Sequence, residues 1–335
     1  MTSLRLLFLG GTGTISTACV RAAVAAGHDV TVLTRGTRDR DLPAQVRRVT
    51  GDVRDAESIR AAIGDERFDV VADFLSYVPE HVATVLSAVE GRIAQYIYIS
   101  SASAYEKPPR YLPVTESTPL RNPFWKYSRD KIACEQLLVD AHRSRSLPVT
   151  IVRPSHTYDE TKIPTIGGWT DIARLRAGKP VVIHGDGTSL WTITHADDFA
   201  VAFTGLLGNP AAVGDAFTIT GTHAPSWNQI YGWLADAAGV TDPRFVHVAS
   251  DTIAAWAPDL GPTLRGDKAH SVVFDVSKVT RLVPEFRTTV TFDEGARRIV
   301  AFYDAHPDQQ RVNAELHATF DAMIAHADRA GTAAT

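Results

Sequence analysis

Tyr127 is followed four residues later by Lys131, in the run Asn122-Pro-Phe-Trp-Lys-Tyr-Ser-Arg-Asp-Lys-Ile-Ala-Cys-Glu135. Positions i and i+4 share one face of a helix, so a phenol and an ammonium can be presented side by side. A neighbouring cation favours the phenolate. The spacing therefore predicts a lowered Tyr127 pKa and a proton-transfer pair working near neutral pH. Such pairs also occur as plain surface contacts; here the company matters. Gly10-Gly-Thr-Gly-Thr-Ile-Ser16 precedes the pair, and Ser100, Ser101 and Ser103 form a hydroxyl cluster between the two. Phosphate cradle, hydroxyls and acid–base pair stand in the order a nicotinamide enzyme needs.

These residues must be held by elements, and the apolar pattern supplies them. Residues 4–9 read as a short buried strand, and an alanine-rich helix runs from about Thr17 to Ala26 with Gly27 placed to end it. Further strands are expected at 30–33, 46–49, 69–74, 95–99 and 149–152, separated by helices near 55–63, 79–90 and 124–143. Strands alternating with helices predict right-handed βαβ units and a parallel sheet covered on both faces. The fold class expected is α/β: a Rossmann-type doubly wound sheet with a smaller mixed α/β C-terminal substrate domain. Residues 1–153 form the dinucleotide-binding domain in this reading, with interleaved segments from about 185–220, and residues 154–330 are mainly substrate domain.

Gly10, Gly13 and Ser16 recur every three residues between a strand and a helix. Glycines permit the tight turn, and backbone N–H groups with the helix N-terminus favour a pyrophosphate. Gly10, Gly13, Thr14 and Ile15 are the cofactor-binding residues expected from this loop; the bland alternative is a plain strand-to-helix turn. At the end of the second strand an NAD site would place an acidic side chain for the ribose. Thr34-Arg35-Gly36 stands there instead, with Arg38 and Arg40 close behind. Arginine suits a 2′-phosphate, which predicts NADP, with NAD as the alternative served by Asp39 or Asp41. Asp52 and Val53, past the third strand, are placed against the adenine.

Ser101 follows the apolar strand Tyr96-Ile-Tyr-Ile99. Ligands in open α/β sheets lie beyond the carboxyl ends of strands, so its hydroxyl can meet a substrate oxygen while Tyr127 exchanges the proton. Lys131 would hold the cofactor ribose. The other reading of Ser101 is a strand-end cap. Trp125 and Trp191 either line a substrate pocket or close an interdomain core, and Arg265 and Lys268 either contact an anionic substrate or belong to a solvated loop.

The 335 residues are 44% hydrophobic and 21% charged, as in an ordinary globular protein, and the net charge of −4 offers no basic footprint for nucleic acid. Two cysteines, Cys19 and Cys134, support neither a disulfide framework nor a thiolate metal cluster. No run reads as a signal peptide or a bilayer span, so the cytoplasm is the default address and no membrane partner is expected.

The chain resembles an extended or atypical member of the short-chain dehydrogenase/reductase superfamily, in the epimerase/dehydratase branch. The likeness is carried by the GGTGTIS loop, Gly51-Asp-Val-Arg54, Ile99-Ser-Ser-Ala-Ser-Ala-Tyr105, Tyr127 with Lys131, and Arg153-Pro-Ser-His-Thr-Tyr158. It continues through Gly185-Asp-Gly-Thr-Ser-Leu-Trp-Thr-Ile-Thr-His-Ala-Asp-Asp198, Arg265-Gly-Asp267 and Asp275-Val-Ser-Lys278. The resemblance implies catalytic Ser101, Tyr127 and Lys131, a homodimer built on helix 124–143, and structural roles for His195, Asp197 and Asp198. It implies an NAD(P)-dependent oxidoreductase or epimerase working on a secondary alcohol or ketone of a nucleotide-activated sugar. Ser103, Trp125, Trp191 and Arg265 are the substrate residues expected. Three departures stand out: Ser16 for the third glycine, Trp191-Thr192 where Arg-Asp is frequent, and Ala102-Ser103 where dehydratases place Asp-Glu. Arg265 sits one position off the usual register. Other activities fit the same likeness, namely reduction of a small non-sugar ketone or non-catalytic dinucleotide sensing. RNA association belongs with them, because the pattern is closest to a subgroup with proteins similar to chloroplast stem-loop RNA-binding proteins.

Overall fold

The computed structural model describes residues 3–37 and 40–332. Its strands are β1 (Arg5–Leu9), β2 (Asp29–Thr34), β3 (Arg47–Thr50), β4 (Phe68–Asp73), β5 (Ile93–Ile99) and β6 (Val149–Pro154), then β7 (His156–Tyr158), β8 (Val181–His184), β9 (Ile193–His195), β10 (Asp215–Ile219) and β11 (Phe245–Val248). Seven of them make one sheet in the order β10-β6-β5-β4-β1-β2-β3, every neighbouring pair parallel. The order reverses between β1 and β4, which opens a crevice at their carboxyl ends.

Residue alternation along β1 explains why both faces are covered. Leu6 and Phe8 pack with Cys19, Val20 and Ala23 of α1 (Thr14–Ala25), while Leu7 and Leu9 face the opposite side with Ile59 and Ile63 of α2 (Ala56–Ile63) and Val82 and Val85 of α3 (Pro79–Val89). Cys134 and Leu138 of α4 (Lys126–Arg145) complete that second layer. Cys134 is thus a small, fully buried filler of that layer.

The chain then leaves the sheet, builds a second lobe and returns. After α5 (Trp169–Arg176), the helix α6 (Ala196–Leu206) brings Phe199, Phe203 and Leu206 against the α1 side of the sheet, and β10 pairs with β6 from Asp215↔Thr150 to Ile219↔Pro154. His195 starts α6 by accepting the Asp197 N–H at Nδ1, and Asp198 takes the N–H groups of Thr289 and Val290. Both residues are structural fasteners. The second lobe has its own core, including Trp191, Ile183, Phe292 and Ile299 with Trp227 and Leu234 of α7 (Trp227–Ala237).

One buried ion pair ties α4 to β6. Arg153 donates from Nη2 to Glu135 at 2.6 Å and from Nε at 3.0 Å, and Ser100 donates to the same carboxylate. Arg153 Nη1 also reaches the Tyr105 hydroxyl at 3.0 Å. The two side chains are 7% and 3% exposed, so neither charge has water to fall back on. Glu135→Ala is expected to lower the unfolding free energy by about 3–5 kcal/mol in urea denaturation. A loss under about 1 kcal/mol, the scale of a surface pair, would show that the pair does not hold helix to sheet.

Candidate active site

Lys131 stands one helical turn after Tyr127 on the buried face of α4. Its ammonium donates to the carbonyls of Ser76 at 2.7 Å and Ile99 at 2.8 Å, just beyond the ends of β4 and at the end of β5. It also lies 4.8 Å from the ring centres of Tyr77 and Tyr98. The Ser76 carbonyl is aimed by its loop: Asp73 accepts the N–H groups of Leu75 and Ser76, each at 2.9 Å. Burial lowers the Lys131 pKa to about 8.

Tyr127 departs from the expected behaviour. Burial raises its pKa to about 12, and a hydrogen bond with Ser101 opposes that rise only in part. The Lys131 ammonium is committed to two carbonyls and sits 5.9 Å from the Tyr127 ring centre, so it does not stabilise the phenolate. The expected lowering is corrected: in the cofactor-free protein Tyr127 is a neutral acid. Its ring packs 4.9 Å from Trp125 and 6.3 Å from Tyr77.

Ser101 is a cap and also lines the cleft. Its Oγ caps the short turn Ala102–Ala104 by accepting the Ser103 N–H at 3.2 Å, and it faces the same space as Tyr127. Asn122, a residue without an assigned role in the sequence, binds this turn to the second lobe. Its amide donates to the carbonyls of Ser103 at 2.8 Å and Gly266 at 2.7 Å, and its oxygen accepts from Phe124 and Trp125 where α4 begins. The local signal was the Asn-Pro pair just before a helix. A Cβ on Gly266 would meet that of Trp125 at 2.8 Å.

A cleft of about 690 Å³ joins these groups to the glycine loop. Gly10, Gly13, Thr14 and Ile15 line it at the head of α1, Arg35, Asp52 and Val53 at the ends of β2 and β3, and Ser101, Ser103, Trp125, Tyr127, Lys131 and Trp191 further along. The loop's need for glycine falls on two neighbours. Gly10 has φ +84° and lies against Leu75, and Gly11 leaves no room for a Cβ beside Val32. Ser16 takes the third position by accepting the Gly13 N–H at 2.9 Å. Open backbone at a helix N-terminus, with an arginine beyond it and an ammonium at the far end, fits a dinucleotide.

Arg265 is not among these residues. Its guanidinium turns outward to Asp251 at 2.7 Å, because the stretch Leu264–Lys268 is wound so that Leu264 enters the core. Its assignment as a substrate contact is corrected. Lys268 lines the cleft in its place, 4.7 Å from the Trp191 ring and 3.0 Å from Thr263 Oγ1, with Asp267 beside it. Trp191 is both wall and core, packed on His156 and Trp227. His156 also lines the cleft, and burial with Lys162 and Lys268 nearby holds its pKa well below the usual value. Arg40 reaches across to Thr161 Oγ1 at 2.8 Å, and the Asp41 carbonyl accepts from Arg21. Arg38 and Asp39 lie outside the described residues.

Residues 6–220 match the NAD dependent epimerase/dehydratase family. Among curated proteins the chain is 30% identical to 2′-dehydrokanamycin reductase of Streptomyces kanamyceticus over 294 residues, 85% of this chain and 80% of that one. It is 29% identical to the chloroplast stem-loop binding protein of 41 kDa b of Arabidopsis thaliana over 72% of this chain and 65% of that one. The UDP-glucose 4-epimerase of Bifidobacterium longum, solved with NAD+ and UDP, superposes with a TM-score of 0.72 at 20% identity, covering 91% of this chain and 99% of that one. Fold, cleft and sequence match together place the chain in the NAD-dependent epimerase/dehydratase family, as an enzyme of that type.

Proposed function

We propose that this enzyme interconverts a ketone and a secondary alcohol on a sugar ring. Convergence of Tyr127, Ser101 and Lys131 on one cleft with the glycine loop carries the proposal. When bound, the nicotinamide cofactor supplies or accepts the hydride. Tyr127 exchanges the proton at the substrate oxygen and Ser101 hydrogen-bonds that oxygen. Lys131 has a third ammonium hydrogen for the cofactor ribose after its two carbonyls. A phenol protonated at neutral pH is the acid that ketone reduction needs, a step shared by net reduction and by the second half of an epimerisation.

A nucleotide-activated sugar is the first substrate form to test, since several relatives are UDP-glucose 4-epimerases and Lys162 and Lys268 line the cleft. A sugar ketone without a nucleotide is the second. Arg265 facing away from the cleft favours it, as does the match to 2′-dehydrokanamycin reductase over most of both chains. We further read Arg35 as the residue that selects NADP, with a homodimer as the assembly expected.

Turnover is measured with UDP-glucose and NAD+ and with 2′-dehydrokanamycin and NADPH. Tyr127→Phe is expected to lower kcat by about 10²–10⁴-fold with cofactor affinity retained, and full turnover would refute the chemistry. Arg35→Ala is expected to weaken NADPH binding about tenfold or more in fluorescence titration while leaving NADH unchanged. Tighter NADH binding in the parent, unaffected by that change, reverses the cofactor assignment.

The pKa of Lys131, lowered to about 8 by burial, sets a pH limit. Below that pH the ammonium is present to meet the ribose; above it the amine is neutral. Cofactor affinity is expected to fall as pH rises through about 8 in the parent and to stay flat in Lys131→Met. Stability moves the other way. Between about 8 and the ordinary value of 10.5 the unfolded chain holds the extra proton, so this residue's contribution to stability rises with pH.

A further inference from the structure

Three serine hydroxyls form a line at the start of α4. Ser128 Oγ donates to Ser103 Oγ at 2.8 Å, and Ser103 Oγ lies 2.8 Å from Ser101 Oγ. The Ser103 N–H donates to Ser101 Oγ as well, at 3.2 Å. Ser128 is fully buried and Ser103 nearly so, and Asn122 holds the Ser103 carbonyl so that the turn cannot rotate.

Each hydroxyl has one proton and two acceptor lone pairs. The Ser128 proton occupies one lone pair of Ser103. With that lone pair taken and Ser128 acting as a donor, the Ser103 O–H points to Ser101, the other hydroxyl its oxygen meets, in a contact whose geometry allows either oxygen to donate. Ser101 thereby accepts twice, from the Ser103 N–H and O–H, and both its lone pairs are filled. Its proton is the group left to offer, and it faces Tyr127 and the cleft.

We propose that Ser128 and Ser103 are positioning residues that hold Ser101 as a hydrogen-bond donor to the reacting oxygen. Ser103 then serves catalysis through Ser101 and not as a direct substrate contact. No proton moves along the line; it sets direction. A fixed donor matches a ketone oxygen gaining negative charge, whereas a freely turning hydroxyl would spend part of its time as an acceptor. This inference rests on the proposed role of Ser101.

A double-substitution cycle tests it on the full-length protein. The substrate-free readout is the ¹³Cζ resonance of Tyr127 in tyrosine-labelled protein, assigned by its loss in Tyr127→Phe. Ser128→Ala is expected to displace that resonance, and the same change in a Ser101→Ala background is expected to leave it in place. With whichever substrate pair named above the parent turns over, Ser128→Ala is expected to lower kcat about tenfold with NADPH affinity unchanged, and to add nothing once Ser101 is alanine. An unmoved resonance, or a kcat loss of equal size in both backgrounds, overturns the proposal; so does a lowered melting temperature as the sole effect. Should Ser128→Ala fail to fold, Ser103→Ala passes through the same cycle with the same expectations. An active Tyr127→Phe would sink the proposed function. An additive Ser128–Ser101 cycle beside an inactive Tyr127→Phe would sink the positioning role alone.

Discussion

The Lys131 ammonium, gripped by the carbonyls of Ser76 and Ile99, is the contact on which the site depends. A buried cation is tolerated when polar groups replace its water, and here carbonyl dipoles at two neighbouring strand ends do so. The grip sets where α4 lies over the sheet. Tyr127 one turn before and Glu135 one turn after are placed by the same pin, the former towards the cleft and the latter into the Arg153 pair. The helix therefore carries site and fastening on one stripe. Asp73 has a place in this arrangement although it lies behind the site. By holding the backbone of Leu75 and Ser76 it keeps one of the two carbonyls pointed at the ammonium.

That same grip separates Lys131 from Tyr127 electrostatically. A cation lowers a phenol's pKa when it is close and free to solvate the phenolate; this one is occupied elsewhere, and burial of the phenol dominates. What remains for Tyr127 is Ser101. In the proposed reaction the pair is an acid and a hydroxyl that line one cleft, with the lysine as a support for the chain and the cofactor. This division of labour suits proton donation to an oxygen that is becoming an alkoxide. It also explains why two residues so close in sequence differ in their pKa directions, one up and one down. Burial penalises the charged form of each, and those forms carry opposite signs.

Much of this was legible in the residues. The βαβ alternation, the glycine loop and the i, i+4 spacing have short-range physical causes, and the cleft does bring together Gly10, Arg35, Ser101, Tyr127 and Lys131. The last sheet strand was harder to see. Interleaving of residues 185–220 with the first domain was expected, but the strand Asp215–Ile219 was not, because it gains its place only by pairing with β6 after an excursion through the second lobe. The Tyr127 protonation state depends on partners from β4 and β5, so spacing on one helix misjudged it. Arg265 was misplaced for a related reason: its direction depends on which neighbour enters the core, and Leu264 does. Ser128 and Asn122 passed unnoticed because their contacts are hydrogen bonds across the fold, invisible to periodicity.

The wall beyond Tyr127 is where this chain is most particular. Trp191 occupies a position where a guanidinium is frequent in proteins the chain resembles, and its indole is buried against Trp227 and His156. Positive charge returns through Lys268, whose ammonium lies over that indole, hydrogen-bonds Thr263 and has Asp267 3.9 Å away. The backbone beneath is pinned too, since the Lys268 carbonyl accepts from Trp227 Nε1 at 3.1 Å. A planar guanidinium fork gives way to one ammonium partly balanced by a carboxylate. Such a wall grips a doubly charged diphosphate less firmly than a fork would, while its aromatic face and its mixed charges suit the C–H and O–H surfaces of a sugar ring. In the proposed reaction the proton moves at Tyr127, and the choice among substrates falls to this wall of the second lobe.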